Sequence, residues 1–403
     1  MMQSELASLD AKDPNYAVTV VERLLAAARR LGASDVHLRP MAENMEVRLR
    51  LDGVLQLVAR LPRPAAANVV ARLKVLADLL TYRTDVPQEG RIRGIQEGGE
   101  MRVSTFPTVF GENAVVRVFA GSQQFQRLED LGFAEEVLAP LDRLLDETSG
   151  AILATGPAGS GKTTTIYACL RELSRRVGGV RSLVSLEDPV EIIVPGVAQS
   201  QVNPAVQLDL ATGLRFLMRQ DPEVIMIGEI RDRATAEAAF GASLTGHLLL
   251  STFHAGSAAE AVSRLSDMGI EPYLLQSGLL AIVCQRLARK LCHCARVSED
   301  PADRLGLPVE RVWLPVGCEA CSGTGYRGRF VIVEMMTPER SSVGRAILSR
   351  SDAATIEQLA IDAGMVSRWE RACTAVSEGR TSPAEVRRVL GFSTPAKGLG
   401  IRD

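Results

Sequence analysis

The chain has 403 residues, 46% of them apolar, and a formal net charge of -2. That length accommodates two or three domains with their own cores. The near balance of charge excludes bulk coating of nucleic acid, and no apolar run approaches the roughly 18 residues of a membrane-spanning helix; the best, 274–283, is short and carries Gln276 and Ser277. Residues 1–15 are polar and flexible, and Glu5, Asp10 and Asp13 are unlike a signal peptide. Residues 18–31 read as an amphipathic helix ending at Gly32, followed by a short strand over 34–38. In 46–51, Val47, Leu49 and Leu51 alternate with Glu46, Arg48 and Arg50, so Arg50 lies on a polar face. Asp52-Gly53 is a hairpin turn into a return strand over 54–59. Helical spacing covers 64–80. A strand pair at 101–105 and 114–119 brackets Gly111, and Arg117 shares a face with Val115 and Phe119. These elements make a small α/β domain over 16–120, with a linker over 121–130.

The second domain spans 131–403. It opens on a helix over 128–145. Apolar runs at 151–154, 182–186, 224–227 and 248–252 alternate with helical segments, which predicts a mostly parallel sheet covered on both faces. Its ligand belongs at the carboxyl ends of the strands. From Val366 the chain is helical again and closes on a Pro- and Gly-bearing tail.

Gly156-Pro157-Ala158-Gly159-Ser160-Gly161-Lys162-Thr163 follows the first of these strands and fits G-x-x-x-x-G-K-[ST] in full. Such a loop lets successive backbone N–H groups converge on phosphate oxygens. Lys162 reaches the β- and γ-phosphates, Thr163 ligates magnesium, and Thr164 begins a helix whose positive end faces the phosphates. The run 224–227 continues through Gly228 to Glu229, and 183–186 delivers Glu187 and Asp188 before Pro189. Acids at strand exits suit magnesium coordination or water activation. His247 and His254 bracket 248–252 and stand about 23 Å apart if that segment is extended, so they share no metal. One would sense the γ-phosphate and the other mark a neighbouring loop.

These motifs resemble the secretion ATPases of the type II secretion and type IV pilus assembly group over residues 17–345. The resemblance rests on Ser34-Asp35-Val36-His37, Leu49-Arg50-Leu51-Asp52-Gly53, Arg72-Leu73-Lys74, Pro87-Gln88-Glu89-Gly90-Arg91-Ile92 and Arg102-Val103-Ser104-Thr105. Leu186-Glu187-Asp188-Pro189-Val190-Glu191 matches the acidic box, Gly228-Glu229-Ile230-Arg231-Asp232 the Walker B segment, and 245–254 the histidine box. The resemblance implies a RecA-like P-loop ATPase domain, a smaller PAS-like N-terminal α/β domain and a small zinc-binding subdomain over 289–328. It implies a magnesium-dependent, ATP-hydrolysing homo-hexamer at the cytoplasmic face of the inner membrane, working with an inner-membrane platform protein. Arg50, Arg72, Arg102 and Arg117 would approach the nucleotide of a neighbouring subunit. Glu187 would activate water and Glu229 would lie nearer the magnesium. Many assembly ATPases carry a further N-terminal docking domain; here only about 16 residues precede the arginine-bearing domain, so recruitment is expected to use a different surface or a different partner.

Cys292, Cys294, Cys318 and Cys321 form two close pairs whose four thiolates would close a structural zinc site. The first pair is C-x-C where the family has C-x-x-C, and His293 stands as an alternative ligand. Ala255-Gly256 replaces the family's Thr-Asn. A DNA motor of the uptake or conjugation type is the rival reading, with a non-hydrolysing nucleotide-binding protein the other. A single-strand path needs stacking aromatics, and only 4% of residues are aromatic, so no direct nucleic-acid partner is expected.

Overall fold

Alternation in the first third of the chain builds a sheet with one covered face. The computed structural model describes Leu6 and residues 9–92, 101–118, 125–177, 181–338 and 342–392. The chain divides into two compact units, Met1–Ser122 and Gln123–Asp403. Expectations for the extreme N-terminus (1–5), for 119–124 and for the tail over 393–403 lie outside the described residues.

The N-terminal unit is a six-stranded antiparallel sheet made of β1 (Asp35–Pro40), β2 (Asn44–Leu51), β3 (Val54–Pro62), β4 (Gln88–Ile92), β5 (Met101–Thr108) and β6 (Gly111–Val118). Their spatial order is β3-β2-β1-β6-β5-β4. The helices Tyr16–Arg30 and Arg63–Leu76 bury one face, packing Val20, Leu24, Val69 and Leu73 against Val36, Leu38, Leu49, Val103 and Val116. Each such side chain contributes roughly 1.5–3 kcal/mol when fully buried. A one-residue slip in β2 would exchange Val47 and Leu49 for Arg48 and Arg50 or for Glu46 and Arg48, so the pattern holds its register. Lys74 is wholly buried and pairs with Glu112 at 2.7 Å, which fastens the second helix to β6.

The larger unit has a seven-stranded sheet. Its strands are β7 (Gly150–Thr155), β8 (Leu183–Glu187), β9 (Ala198–Gln201), β10 (Val224–Ile227), β11 (Leu248–Phe253), β12 (Leu279–Leu291) and, beyond a small ribbon of β13 (Arg296–Ser298) and β14 (Val312–Leu314), β15 (Tyr326–Met336). The order is β15-β12-β7-β11-β10-β8-β9, parallel except for β15. All six residues of β7 and all four of β10 are buried, as expected of strands covered on both faces.

Three segments depart from the sequence reading. Residues 128–145 are not one helix: Gly132, at φ +69°, ends a short 3-10 turn at Glu129–Leu131, and the α-helix is Glu135–Leu144. The apolar run through 283 holds a short helix, Pro272–Gly278, and then enters β12, whose second half carries Gln285, Arg286, Arg289 and Lys290 and so shows no apolar run that would mark it as a strand. The helices Ser342–Leu348 and Ala353–Asp362 precede the expected helical region; at about two and three turns they are shorter than the roughly 11–18-residue window in which the helical period stands out.

Candidate functional site

β7 runs straight into the glycine-rich loop, and the helix Lys162–Val177 leaves it. At Gly156, φ is +141° and a Cβ would stand 2.5 Å from both the Gln285 carbonyl oxygen and Ser160 Oγ. Only glycine lets the loop pass so near β12. Ala158, Gly159, Lys162 and Thr163 line a cleft of about 210 Å³ together with Glu187, Asp188, Glu229 and His254. The acids come from the carboxyl ends of β8 and β10, which are adjacent and parallel. Ser160 is buried beneath the loop, and Thr164 lies in the first turn of the helix outside the lining.

Lys162 Nζ donates to the carbonyl oxygens of Gly156 and Pro157, both at 3.0 Å. Burial, aided by the Arg286 guanidinium, pulls its pKa down to about 8. A lysine so short of solvent and counter-charge gains most when an anion arrives.

Glu187 is buried. Its Oε1 accepts Ser185 Oγ at 2.6 Å and Gln199 Nε2 at 3.1 Å, and its Oε2 accepts the Tyr167 hydroxyl. Burial, reinforced by the Glu187 contact, pushes the Tyr167 hydroxyl far above its usual range, so Tyr167 remains a donor. Glu229 is more open: it pairs with Arg231, and His254 Nε2 lies 3.5 Å away. Burial and then the nearby Lys162, Arg264 and Arg231 cations hold the His254 pKa below the imidazole norm, leaving it neutral at pH 7.

The two histidines separate. His254 lines the cleft, whereas His247 stands at the other end of β11 with Nδ1 3.0 Å from the Ala242 carbonyl oxygen and 3.3 Å from Thr245 Oγ1. His247 therefore anchors a loop and takes no part in the cleft.

The four arginines also separate. Arg50, Arg117 and Arg102 lie on the sheet face that the helices leave uncovered, and Asp35 pairs with Arg50 at 3.1 Å and Arg117 at 3.2 Å. Arg72 belongs to the covering helix Arg63–Leu76, across the sheet from the other three.

The sulfurs of Cys292, Cys294, Cys318 and Cys321 all lie within 4.8 Å of one another. The closer separations are 3.8 Å for Cys292–Cys318, 3.9 Å for Cys294–Cys321 and 3.7 Å for Cys318–Cys321. A tetrahedron with zinc–sulfur bonds of about 2.3 Å has edges of about 3.8 Å, so the donor set fits. Against the effect of desolvation, the backbone N–H groups of Cys318 and Gly325 pull the Cys321 thiol down to about 6. His293 replaces none of the sulfurs. Its ring flanks them, with Nδ1 3.5 Å from Cys292 Sγ and Nε2 4.0 Å from Cys318 Sγ.

Residues 10–388 match the model of the family described as type II/IV secretion system protein. The chain belongs to that family. It is 41% identical to the type II secretion system protein HxcR of Pseudomonas aeruginosa over 384 residues, covering 94% of this chain and 79% of the relative. It is 37% identical to the type IV pilus assembly ATPase PilB of Thermus thermophilus over 396 residues, covering 95% of this chain and 44% of that one. The Legionella pneumophila ATPase DotB, at 18% identity and a TM-score of 0.66 over 92% of this chain and 95% of its own, shares the fold. As a member of the type II/IV secretion family, the chain is an ATP-hydrolysing secretion or pilus-assembly motor with a RecA-like P-loop fold.

Several neighbours of the cleft in this secretion ATPase escaped the sequence reading. Tyr167, Ser185 and Gln199 come from three elements and meet only at Glu187. The signal was present for Tyr167, since a buried phenol needs a partner. Arg286 sits on β12, donates to the Gly256 carbonyl oxygen at 2.9 Å and ties the segment after His254 to the P-loop side of the sheet.

Proposed function

We propose that this chain assembles as a homo-hexamer at the inner face of the cytoplasmic membrane and uses ATP hydrolysis to move pilin-like subunits through an inner-membrane platform protein. The observation that carries the reading is one cleft holding Lys162, Thr163, Glu187 and Glu229. Among the described residues no helix is long and apolar enough to cross a membrane, which fits a motor attached through partners.

In this reading the P-loop amides and Lys162 bind the triphosphate and stabilise the charge that develops on the γ-phosphate as water attacks in line. Glu187 orients that water and accepts its proton. Three of its roughly four lone-pair sites are occupied by Ser185, Gln199 and Tyr167, which fixes the carboxylate and leaves one for water. Thr163 and Glu229 would hold magnesium, which would supply neutralising charge to the phosphates. His254, kept neutral beside Glu229, reads the γ-phosphate end of the cleft. Arg50, Arg102 and Arg117 come from the N-terminal unit of the adjacent copy, so turnover depends on assembly. Arg72, across the sheet, is left out of that group. Zinc held by the four cysteines is structural, because four thiolates leave no open position.

The test is magnesium-dependent ATP turnover by the parent and by Glu187→Gln. The variant should lose about 10²-fold or more in kcat while keeping its nucleotide affinity. Turnover at the parental rate would remove Glu187 from its role.

A further inference from the structure

The register of the N-terminal sheet lines up residues from five strands. Arg50 on β2, Asp35 on β1, Arg117 on β6, Arg102 on β5 and Arg91 on β4 are successive cross-strand partners. With strands about 4.8 Å apart, the row spans about 19 Å. Core-facing neighbours on the strands turn the row to the uncovered face. Like charges on directly opposite positions repel, and arginine does not shed its proton. Asp35 is the single acid of the row and sits between two of its arginines.

The carboxylate of Asp35 is 6% exposed as a residue, and both its oxygens are used. Oδ2 accepts Arg50 Nε at 3.1 Å and Ser34 Oγ at 2.9 Å, and Oδ1 accepts Arg117 Nε at 3.2 Å. The Arg117 side chain, in contrast, is 66% exposed. Arg117 therefore meets Asp35 through Nε and keeps its two terminal nitrogens, the end suited to bidentate phosphate binding, on the solvent side.

We propose that Asp35 is a positioning residue for ATP hydrolysis in the adjacent subunit. It holds Arg50 and Arg117 side by side against their mutual repulsion, so that they meet the neighbour's triphosphate as a preformed pair. The proposal rests on the reading that these arginines act across subunits, and adds the residue that sets their geometry. The side chain must be anionic, because a neutral acceptor cannot offset two cations.

The experiment uses the full chain with Asp35→Asn, which keeps size and accepting oxygen but removes the charge. Ring mass and melting temperature report the fold. The expected result is a fall of about 10²-fold in kcat with little change in KM for ATP. Asp35→Glu, which keeps the charge displaced by one methylene, serves as the second variant and should lose less turnover. Asp35→Asn subunits are then co-assembled with Lys162→Ala subunits. Mixed rings contain sites that join an intact P-loop to an intact arginine row, so turnover should rise well above that of either variant alone. Arg102→Ala co-assembled with Lys162→Ala is the control. If that pair fails to complement, the cross-subunit reading itself is wrong. If it complements and the Asp35→Asn pair does not, Asp35 acts within its own subunit and the proposal is overturned. Parental kcat in Asp35→Asn overturns it as well.

Discussion

In the larger unit the phosphate-binding residues are consecutive, from Gly156 to Thr163, whereas the cations of the N-terminal unit lie on strands that are up to 67 positions apart in sequence and meet only through sheet register. The first arrangement binds by itself, because one loop brings amides, lysine and hydroxyl to one point. The second exists only across strands: Asp35 pairs with Arg50 and Arg117, and the row lies on the sheet face that the helices leave uncovered. In the proposed motor, that division would make hydrolysis wait on assembly.

Lys162→Ala sharpens the contrast most. It should abolish nucleotide binding in every subunit and lower kcat/KM by about 10³-fold or more, read by steady-state turnover and analogue titration. Arg117→Ala should leave analogue affinity near the parental value and cut kcat by about 10²-fold, since its contribution arises in the transition state. Equal losses of affinity in the two variants would break the comparison. Within the larger unit, Tyr167→Phe removes one donor to Glu187 and should lower kcat about tenfold at unchanged KM.

The pH dependence follows from Lys162. Its folded pKa of about 8 lies below that of an unfolded lysine. Between the two values the folded chain binds fewer protons, so the desolvated ammonium costs stability below about 8 and the cost fades as pH rises toward about 10.4. Bound nucleotide holds the ammonium form. Analogue affinity should thus be level up to about pH 8 and fall about tenfold per unit above it. Affinity level through pH 9.5, measured by fluorescence titration, would place the proton elsewhere. The smallest expected effect is at the cysteine cluster: His293→Ala should weaken metal binding by about tenfold in chelator competition, since the ring flanks two of the sulfurs.

Legibility tracked how local each feature is. The P-loop, the acids of β8 and β10 and the four cysteines could be read because short spacing carries their chemistry. The alternation of Val47, Leu49 and Leu51 revealed the covered face of β2 for the same reason. The row Arg50–Asp35–Arg117–Arg102–Arg91 could not be read, since it exists only once five strands are in register. Tyr167, Ser185 and Gln199 converge on Glu187 from separate elements and show no spacing at all. β12 shows no single apolar run, because Gln285, Arg286, Arg289 and Lys290 interrupt its second half, whereas the continuous runs of β7, β8, β10 and β11 are legible. His254 follows the strand Leu248–Phe253 and so lies at the carboxyl end where the ligand belongs, whereas His247 precedes it and holds a loop.

Magnesium-dependent ATP turnover measured across a mass-resolved separation of oligomers tests the central claim most directly. Turnover per subunit should be confined to fractions of hexamer mass and vanish from them in Lys162→Ala. Monomer fractions that hydrolyse ATP as fast per subunit as the ring would contradict it.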